Sequence, residues 1–225
     1  MSPRDRILEA AMTVFRRHGF RRSSIEETAE AAGLTRQALY HHFKSREALF
    51  RAVIERVHDG ALTAGAAGAE RAEAAGRTLA DIIIAQVAAR LKAFIASFDG
   101  SPHVEELFSE HLLHARDLYQ HYAALHDAQV AATIARAIKR ERLTLAPGMT
   151  AAKLARYIEL AINGAKSAHP LMRPADAFLR DAEAMLRTLI AGAVAPSKPG
   201  KFSPKLSPKP SPTARPVRRK AGVRK

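Results

Sequence analysis

The 225-residue chain contains no cysteine and no tryptophan, and aromatic residues make up only 6% of it. The absence of cysteine excludes disulfide bonds, thiolate metal sites and cysteine nucleophiles, so any metal would need histidine and carboxylate ligands. Long apolar runs are also missing, because no stretch reaches the roughly 18 residues that a membrane-spanning helix requires. Charged residues interrupt the N-terminus, which lacks a signal-peptide pattern. We therefore expect a cytoplasmic protein with no membrane association.

Positive charge is abundant but unevenly distributed. The chain has 36 Lys and Arg against 22 Asp and Glu, and residues 196–225 contain ten of the basic residues and none of the acidic ones. Residues 1–195 are therefore nearly balanced, at +4. Residues 196–225 also hold seven of the twelve prolines, within a Ser-Pro-Lys repeat. We predict that this segment, the basic tail, is disordered and either binds DNA through its charge or only keeps the protein soluble.

Helical periodicity dominates the rest of the chain, and no stretch alternates with the period of two that a strand would show. The sequence therefore predicts an all-α protein of about nine helices. A first helix ends at Gly19, and a helix that begins after Ser45 is expected to fray into a loop within the Ala- and Gly-rich residues 60–76. Further helices are predicted at about 78–98, 103–143 with a break near 115–117, 151–168 and 174–194.

Residues 23–44 contain two short amphipathic helices separated by a tight corner. Ser24 is followed three residues later by Glu27, a pairing that caps a helix start, and Thr35 can cap the second helix. Gly33 supplies the backbone freedom that the corner requires. Four apolar residues face inward and fix the angle between the helices: Ala29, Ala32, Leu39 and Phe43. The outer face of the second helix is polar and consists of Arg36, Gln37, Tyr40, His41 and Lys44.

This layout predicts a helix-turn-helix that reads DNA. An α-helix fits the major groove, where Arg and Gln side chains can form paired hydrogen bonds to guanine and adenine. The alternative is an ordinary helical hairpin buried in a bundle. Such a hairpin would cover Tyr40 and His41, whereas the neighbouring Arg36, Gln37 and Lys44 favour a solvent-exposed face.

The same region resembles the TetR family of bacterial transcriptional repressors. The resemblance covers residues 4–57 and includes the turn Ala31-Ala32-Gly33-Leu34-Thr35 and the runs Leu39-Tyr40-His41-His42-Phe43 and Lys44-Ser45-Arg46-Glu47-Ala48-Leu49. It implies phosphate or groove contacts by Ser24, Thr28, Thr35, Tyr40, His42 and Lys44. It implies base-facing positions for Arg36, Gln37, Ala38 and His41. Gln37 is a departure, because many relatives carry Gly or Pro there.

The resemblance also implies the domain organisation. Residues 1–48 would form the DNA-binding domain, residues 49–195 a helical effector-binding and dimerisation domain, and residues 196–225 the basic tail. Two helices near the end have wide apolar faces that suit a dimer interface, formed by Leu154, Ile158, Ala161, Ile162 and Ala165 and by Phe178, Ala182, Met185, Leu186, Leu189 and Ile190. The alternative is that these faces form an intramolecular core. A dimer would place two reading helices about 34 Å or more apart and predicts a palindromic operator.

The middle of the chain is rich in histidine and carboxylate residues. Glu110 and His114, like Asp117 and His121, are four residues apart, a spacing that can place metal ligands on one helix face. The same spacing describes a solvated helix with local charge pairs, which we favour, and we predict neither metal nor cofactor. Some of these residues are instead candidates for an effector pocket, together with nearby aromatic residues: Phe94, Phe98, Phe108, His111, Leu112, His114, Tyr122 and Tyr157.

Together these features predict a transcriptional regulator that acts as a repressor. It would bind a palindromic double-stranded DNA operator as a homodimer and leave it when a small-molecule effector enters the middle helices. A protein that coats DNA without sequence preference is one alternative, favoured by the basic tail alone. A His/carboxylate metal hydrolase is another, but no nucleophile elbow or phosphate-binding glycine loop occurs, so we predict no enzymatic activity.

Overall fold

A computed structural model describes residues 2–196 of the chain. Within this range the chain forms nine α-helices, one short 3-10 helix and two three-residue strands. The helices are α1 Pro3–His18, α2 Ile25–Ala31, α3 Arg36–His42, α4 Arg46–Ala74, α5 Leu79–Phe98, α6 Val104–His114, α7 Arg116–Glu141, α8 Ala151–Ala168 and α9 Ala175–Ala193. The strands are β1 Leu143–Leu145 and β2 Val194–Pro196, and the 3-10 helix is Pro170–Met172.

Helices α1 to α3 and the start of α4 pack around one apolar core, to which α5, α6 and α7 also contribute buried residues. Its centre is a cluster of three phenylalanine rings, in which Phe20 lies 5.9 Å from Phe15 and 4.7 Å from Phe50 between ring centroids. Ile7, Leu39 and Leu49 are fully buried around it. The α4 helix closes this core with its first turns and then continues into the rest of the protein, so it joins the two halves rigidly.

The expected loop at residues 60–76 is wrong, because α4 is one uninterrupted helix of 29 residues. Two of its glycines face α5 at very short distances: a Cβ at Gly68 would lie 2.7 Å from the Ala85 carbonyl oxygen, and one at Gly65 3.1 Å from that of Gln86. The glycines therefore permit close packing of two helices here, and the many alanines between them favour helix.

A second core is formed by α5, α7, α8 and α9. It contains most of the apolar residues that were expected at a dimer interface: Leu154, Ile158, Ile162, Ala165, Phe178, Ala182, Leu186 and Ile190 are each at most 3% exposed. The periodicity correctly indicated apolar faces on these helices. Other helices of the same chain cover those faces, so the alternative of an intramolecular core holds for these eight residues. Met185 is 41% exposed, and Tyr157 and Leu160 lie exposed on the outer side of α8.

The chain is not purely helical, since β1 and β2 pair antiparallel, with Thr144 opposite Ala195 and Leu145 opposite Val194. Strands of three residues are too short to show alternation in a sequence. The predicted basic tail, apart from Pro196, lies outside the described residues. In residues 2–196, none of the helices combines the length and apolar character needed to cross a membrane.

Candidate functional site

The polar face of α3 lies on the outside of the N-terminal half. Leu39 on the opposite side of the helix is fully buried, and Phe43 follows it into the same core. These two anchors fix the rotation of the helix. Six of the predicted contact residues are exposed as a result: Thr35, Arg36, Gln37, His41, His42 and Lys44. Ala38 and Tyr40 are half-buried at the edge of the same face.

The start of each helix is fixed by the predicted caps. The Ser24 hydroxyl accepts a hydrogen bond from the Glu27 amide at 3.1 Å, and the Glu27 carboxylate accepts one from the Ser24 amide at 2.8 Å. The Thr35 hydroxyl accepts from the Ala38 amide at 3.2 Å. Gly33 between the helices has a φ of +66°, a conformation that favours glycine. The corner is therefore rigid, and it presents α3 at a defined angle.

Arg36 is held in place above α2. Its guanidinium lies 2.6 Å from a Glu26 carboxylate oxygen and 5.5 Å from the centre of the Tyr40 ring. Hydrogen bonding with Tyr40 and the charge of Glu26 raise the pKa of Arg36. Because an ion pair in water contributes little, Arg36 can exchange Glu26 for a DNA partner at small cost.

Thr28 is the predicted contact residue that the structure removes from this surface. It is fully buried, and its hydroxyl donates to the Ser24 carbonyl oxygen at 3.2 Å. A phosphate could reach it only if α2 moved away from the core. The residue type at this position matches the family pattern. That match does not show whether the side chain is buried, because burial depends on how α2 packs.

A cavity of about 250 Å³ lies in the second half of the protein, between α4, α5, α6, α7, α8 and the 3-10 helix. Apolar side chains form most of its wall, with cationic and polar groups at one end. The lining residues are His58, Arg90, Leu91, Phe94, Phe108, His111, Leu112, Tyr119, Lys166, Leu171 and Met172. A concave, mainly apolar space with a few polar groups is typical of a small-molecule site.

Four of the eight predicted pocket residues line this cavity: Phe94, Phe108, His111 and Leu112. The other four lie elsewhere. Phe98 is buried behind Phe94 and Phe108, with ring centroids 5.4 and 5.2 Å away, and His114 packs on Phe20. Tyr122 stacks on His58 and donates to Asp59 at 2.7 Å, while Tyr157 is 43% exposed on the outer side of α8.

Two buried histidines meet at the cavity wall. The Nε2 atoms of His58 on α4 and His111 on α6 are 3.3 Å apart, so one ring donates a hydrogen bond to the other. Burial lowers the pKa of His58 to about 3 and that of His111 to about 4; His111 lowers the pKa of His58 further, and the charge of Lys166 lowers both. Both are neutral at pH 7, and one carries its proton on Nε2.

A cluster of buried charged residues borders the polar end of the cavity. Glu159 on α8 accepts from His126 Nδ1 at 3.2 Å and lies 3.7 Å from the guanidinium of Arg90. Ligand atoms of His126, Asp127 and Glu159 lie within 4.8 Å of one another, an arrangement that could hold a metal ion. Arg90 next to Glu159 opposes a cation there, because its charge would lie beside that of the metal.

The carboxylates of the two spaced pairs, Glu110 and Asp117, each bind an arginine from an earlier part of the chain. Glu110 is buried rather than solvated, and it contacts His114 at 3.0 Å and Arg21 of the N-terminal half at 2.6 Å. Asp117 binds Arg51 through both carboxylate oxygens, each at 2.7 Å. These pairs connect α6 and α7 to the turn before α2 and to the start of α4, so the solvated-helix interpretation was wrong for Glu110.

Helix α6 therefore contacts both the cavity and the turn that precedes α2. One of its faces supplies Phe108, His111 and Leu112 to the cavity. On the other side, Glu106 accepts from the Arg21 amide at 2.8 Å and Glu110 binds the Arg21 side chain. A displacement of α6 at the cavity would therefore also displace the turn that precedes α2.

The N-terminal residues also match a known family. Residues 7–53 match the model of the family described as bacterial regulatory proteins, tetR family. Residues 7–53 therefore resemble the N-terminal domain of that family. ComR, a transcriptional repressor of Escherichia coli, is 41% identical over 56 residues, which are 25% of this chain and 27% of ComR. YfiR, a transcriptional regulator of Bacillus subtilis, is 45% identical over 49 residues, 22% of this chain and 24% of YfiR. The chain spans about a quarter of the length of these relatives.

Solved TetR-family structures resemble most of the chain. A regulator of Mesorhizobium loti has a TM-score of 0.61 at 17% identity and covers 85% of this chain and 96% of its own. SmeT, the repressor of the Stenotrophomonas maltophilia efflux pump SmeDEF, has a TM-score of 0.55 at 24% identity, covering 93% of this chain and 97% of SmeT. Such low identities show the fold alone. The TetR-like, all-α architecture is therefore confirmed.

The sequence did not indicate the cationic end of the cavity. Arg90 and Lys166 are 76 positions apart and lie on α5 and α8. Arg90 interrupts an otherwise apolar run, and Glu159 does the same on α8. A charged residue on the apolar face of a helix is the one local signal that could have identified them.

Proposed function

We propose that this protein is a cytoplasmic transcriptional repressor that binds a palindromic DNA operator as a homodimer and is released by a small-molecule effector. The observation that carries this proposal is the exposed polar face of α3, held on a rigid three-helix unit whose sequence matches the TetR family. Relatives such as ComR are named as repressors. We propose no enzymatic activity.

Base recognition is assigned to Arg36, Gln37, Ala38 and His41. Arg and Gln can each form paired hydrogen bonds to one base edge, and the alanine methyl group suits the methyl group of thymine. Contacts with phosphate are assigned to Ser24, Thr35, Tyr40, His42 and Lys44, which surround the reading face and would fix its register. Thr28 is left out because it is buried.

The dimer is assigned to the outward faces of α8 and α9. Tyr157, Leu160 and Met185 are 43, 49 and 41% exposed there. Gly164 lies between them, since a Cβ on it would be 3.6 Å from the Met185 methyl group. Exposed apolar residues around small ones allow two copies of a helix pair to approach closely. Two-fold symmetry would then give the protein two reading helices.

Effector release is assigned to the cavity and to α6. A ligand that favours a different position of Phe108, His111 and Leu112 moves the same helix that holds Arg21 through Glu106 and Glu110. The ligand must prefer the non-binding conformation by about 1–3 kcal/mol to change operator affinity by several-fold to about a hundredfold. The cavity and the DNA-reading half would thus be coupled through one helix.

Selection of bound sequences from random DNA tests this function. We expect an enriched inverted repeat whose half-sites are separated by about one turn of DNA or more. Uniform binding without an enriched motif would contradict the repressor and support the DNA-coating alternative, which depends on the basic tail. A chain shortened after Ala195 distinguishes the two, because a repressor still selects the inverted repeat without the tail, whereas a protein that coats DNA through the tail loses most of its affinity for DNA.

A further inference from the structure

The cavity has more positive than negative charge at its polar end. Arg90 and Lys166 line it, and Arg90 is only 7% exposed. Glu159 is 1% exposed and lies 3.7 Å from Arg90. Within residues 2–196 no carboxylate comes within ion-pair distance of Lys166, whose ammonium donates to the Asn163 side chain at 3.3 Å instead. Two cations therefore share one nearby carboxylate.

The Arg90 guanidinium is also incompletely bonded. Its Nη1 atom is buried and finds no hydrogen-bond acceptor among the described residues, because Glu159 is too distant for a hydrogen bond. A buried donor without an acceptor is costly, and more so on a charged group. Burial accordingly lowers the pKa of Arg90 and that of Lys166. An acceptor that entered the cavity would relieve this cost.

The other carboxylate of this cluster, that of Asp127, does not supply the missing acceptor for Arg90. Asp127 is half-buried on α7, and burial followed by the charge of Glu159 raises its pKa. Its Oδ1 atom has no hydrogen-bond partner among the described residues. Asp127 is therefore a weakened counter-ion for Arg90.

We propose that the effector is a small amphipathic organic acid whose carboxylate binds Arg90 and Lys166 and whose apolar body fills the rest of the cavity. Arginine suits this task because its planar group donates two parallel hydrogen bonds to a carboxylate. Lys166 adds a second positive charge, and its ammonium lies 5.6 Å from the Tyr119 ring centre. This inference rests on the proposed function, since it names the ligand class of the same cavity.

The apolar part of the cavity determines the rest of the ligand. Leu91, Phe94, Phe108 and Met172 form its walls, and Leu112 is 57% exposed at one side. A hydrocarbon chain or an aryl ring matches these side chains, whereas a sugar or a nucleotide would leave its polar groups without partners. A volume of about 250 Å³ limits the ligand to a small molecule.

The test compares acids with alcohols of the same chain length. Binding of hexanoate, octanoate, decanoate and 3-phenylpropanoate to the full chain is measured by calorimetry at pH 8, beside hexanol, octanol, decanol and 3-phenylpropanol. We expect at least one acid to bind about tenfold or more tightly than its alcohol, because ionic hydrogen bonds are about twice as strong as neutral ones. Binding of no acid in the panel, or equal binding of every acid and its alcohol, overturns the proposal.

Four variants locate the carboxylate. Arg90→Gln and Lys166→Gln should each reduce the preference for the acid severalfold or more while the alcohol binds as before. Lys92→Gln removes a cation from an exposed position on the same helix as Arg90 and should leave the preference unchanged. Glu159→Gln should increase the preference, since it removes the anion that competes for Arg90. Unchanged binding of the alcohol also reports that each variant folds. A preference that survives Arg90→Gln overturns the assignment.

The inference and the proposed function fail in different ways. Operator affinity is measured with the DNA sequence obtained by selection, with and without the acid that binds. If an inverted repeat is selected but no acid binds, the repressor stands and the ligand class is wrong. If an acid binds through Arg90 and operator affinity does not change, the anion site stands and its role as an effector site is wrong.

Discussion

The guanidinium of Arg21, in the turn before α2, lies 2.6 Å from the carboxylate of Glu110 on α6, 89 positions away in the chain. Arg21 is exposed, but Glu110 is buried, so the contact orders the turn against a fixed acceptor. The charge and hydrogen bond of Glu110 raise the pKa of Arg21. This contact is part of the route by which the cavity would influence DNA reading.

Replacement of Glu110 by alanine should therefore loosen the turn at residues 19–24. We expect amide hydrogen exchange in this segment to become severalfold faster, because the Arg21 side chain loses its acceptor. The intact protein is labelled for short times, and exchange in this segment is read from its proteolytic peptides by mass spectrometry. Glu105→Ala is the matched control, since Glu105 is exposed on the same helix, and equal acceleration in both variants would rule out a specific role for Glu110.

Alanine at Arg36 or Gln37 should weaken binding to the selected operator by about five- to a hundredfold and binding to random DNA much less. The reason is that base contacts carry the sequence preference, whereas phosphate contacts do not. Fluorescence anisotropy at constant salt measures both affinities. Glu26→Gln should have the opposite effect and strengthen binding to both DNAs, because it releases Arg36 from its 2.6 Å ion pair. Equal losses on operator and random DNA would make Arg36 and Gln37 phosphate contacts.

A charge in the proposed dimer face should separate the subunits. Leu160→Glu places a carboxylate among exposed apolar residues of α8, where a second copy would bury it without a partner at a cost of several kcal/mol. We expect a monomer of about half the wild-type mass by size-exclusion chromatography with light scattering. Leu125→Glu on α7 is the control, as Leu125 has a similar exposure of 40%. A wild-type protein that is already monomeric would remove the basis for a palindromic operator.

The close contact of α4 and α5 can be tested at two glycines of α4. Gly68→Ala should destabilise the protein by about 1–3 kcal/mol, because the new methyl group would overpack the interface, where it meets the Ala89 Cβ at 2.9 Å. Gly60→Ala should stabilise it by about 0.5–1 kcal/mol, since alanine favours helix and nothing lies within 4 Å. Urea denaturation at one protein concentration compares the two. Destabilisation of equal size at both positions would contradict the close packing.

Stability should also fall in mild acid because of the buried histidines. The pKa of His58 is lowered to about 3 in the folded protein, so below pH 6.5 the unfolded chain binds a proton that the folded one excludes. The free energy of unfolding then decreases by up to about 1.4 kcal/mol per pH unit for this group as the pH falls from 6.5 towards 4. His111, Arg90 and Lys166 face His58 and act in the same direction.

His58→Phe should reduce this slope, because it removes one proton site and keeps a ring for the stack with Tyr122. The measurement is urea denaturation at pH 7, 6 and 5 of wild type and variant at one concentration. His121→Phe replaces an exposed histidine and should keep the wild-type slope. Identical slopes for all three proteins would show that His58 does not contribute.

Local rules account for the parts of the structure that were predicted correctly. The capping pairs at Ser24 and Thr35 lie three residues from their partners, and the break at Ala115 separates α6 from α7 as expected. These features depend on neighbours in the chain, so their physical chemistry is visible in the sequence. The exposed polar face of α3 followed from the same rules, since Leu39 and Phe43 fix which side of α3 faces outward.

The errors share a different cause. Residues 60–76 were expected to fray, yet α4 continues because Gly65 and Gly68 pack against α5, and nothing near them in the chain indicates that partner. Thr28 matches a contact position by type and is buried by the way α2 packs. Periodicity shows that a face is apolar but not which surface covers it, so the faces of α8 and α9 were assigned to a second subunit instead of to their own core.

The sequence by itself determined most of the helices, their caps and the exposed polar face of α3, because these depend on interactions within a few residues. Only the tertiary structure decided where the cavity lies and what charge it carries. Arg90 on α5, Glu159 and Lys166 on α8, and His58 and His111 on α4 and α6 meet there from four separate helices. Several helices together bury these side chains. This joint burial shifts their pKa values and leaves some of their polar atoms without hydrogen-bond partners.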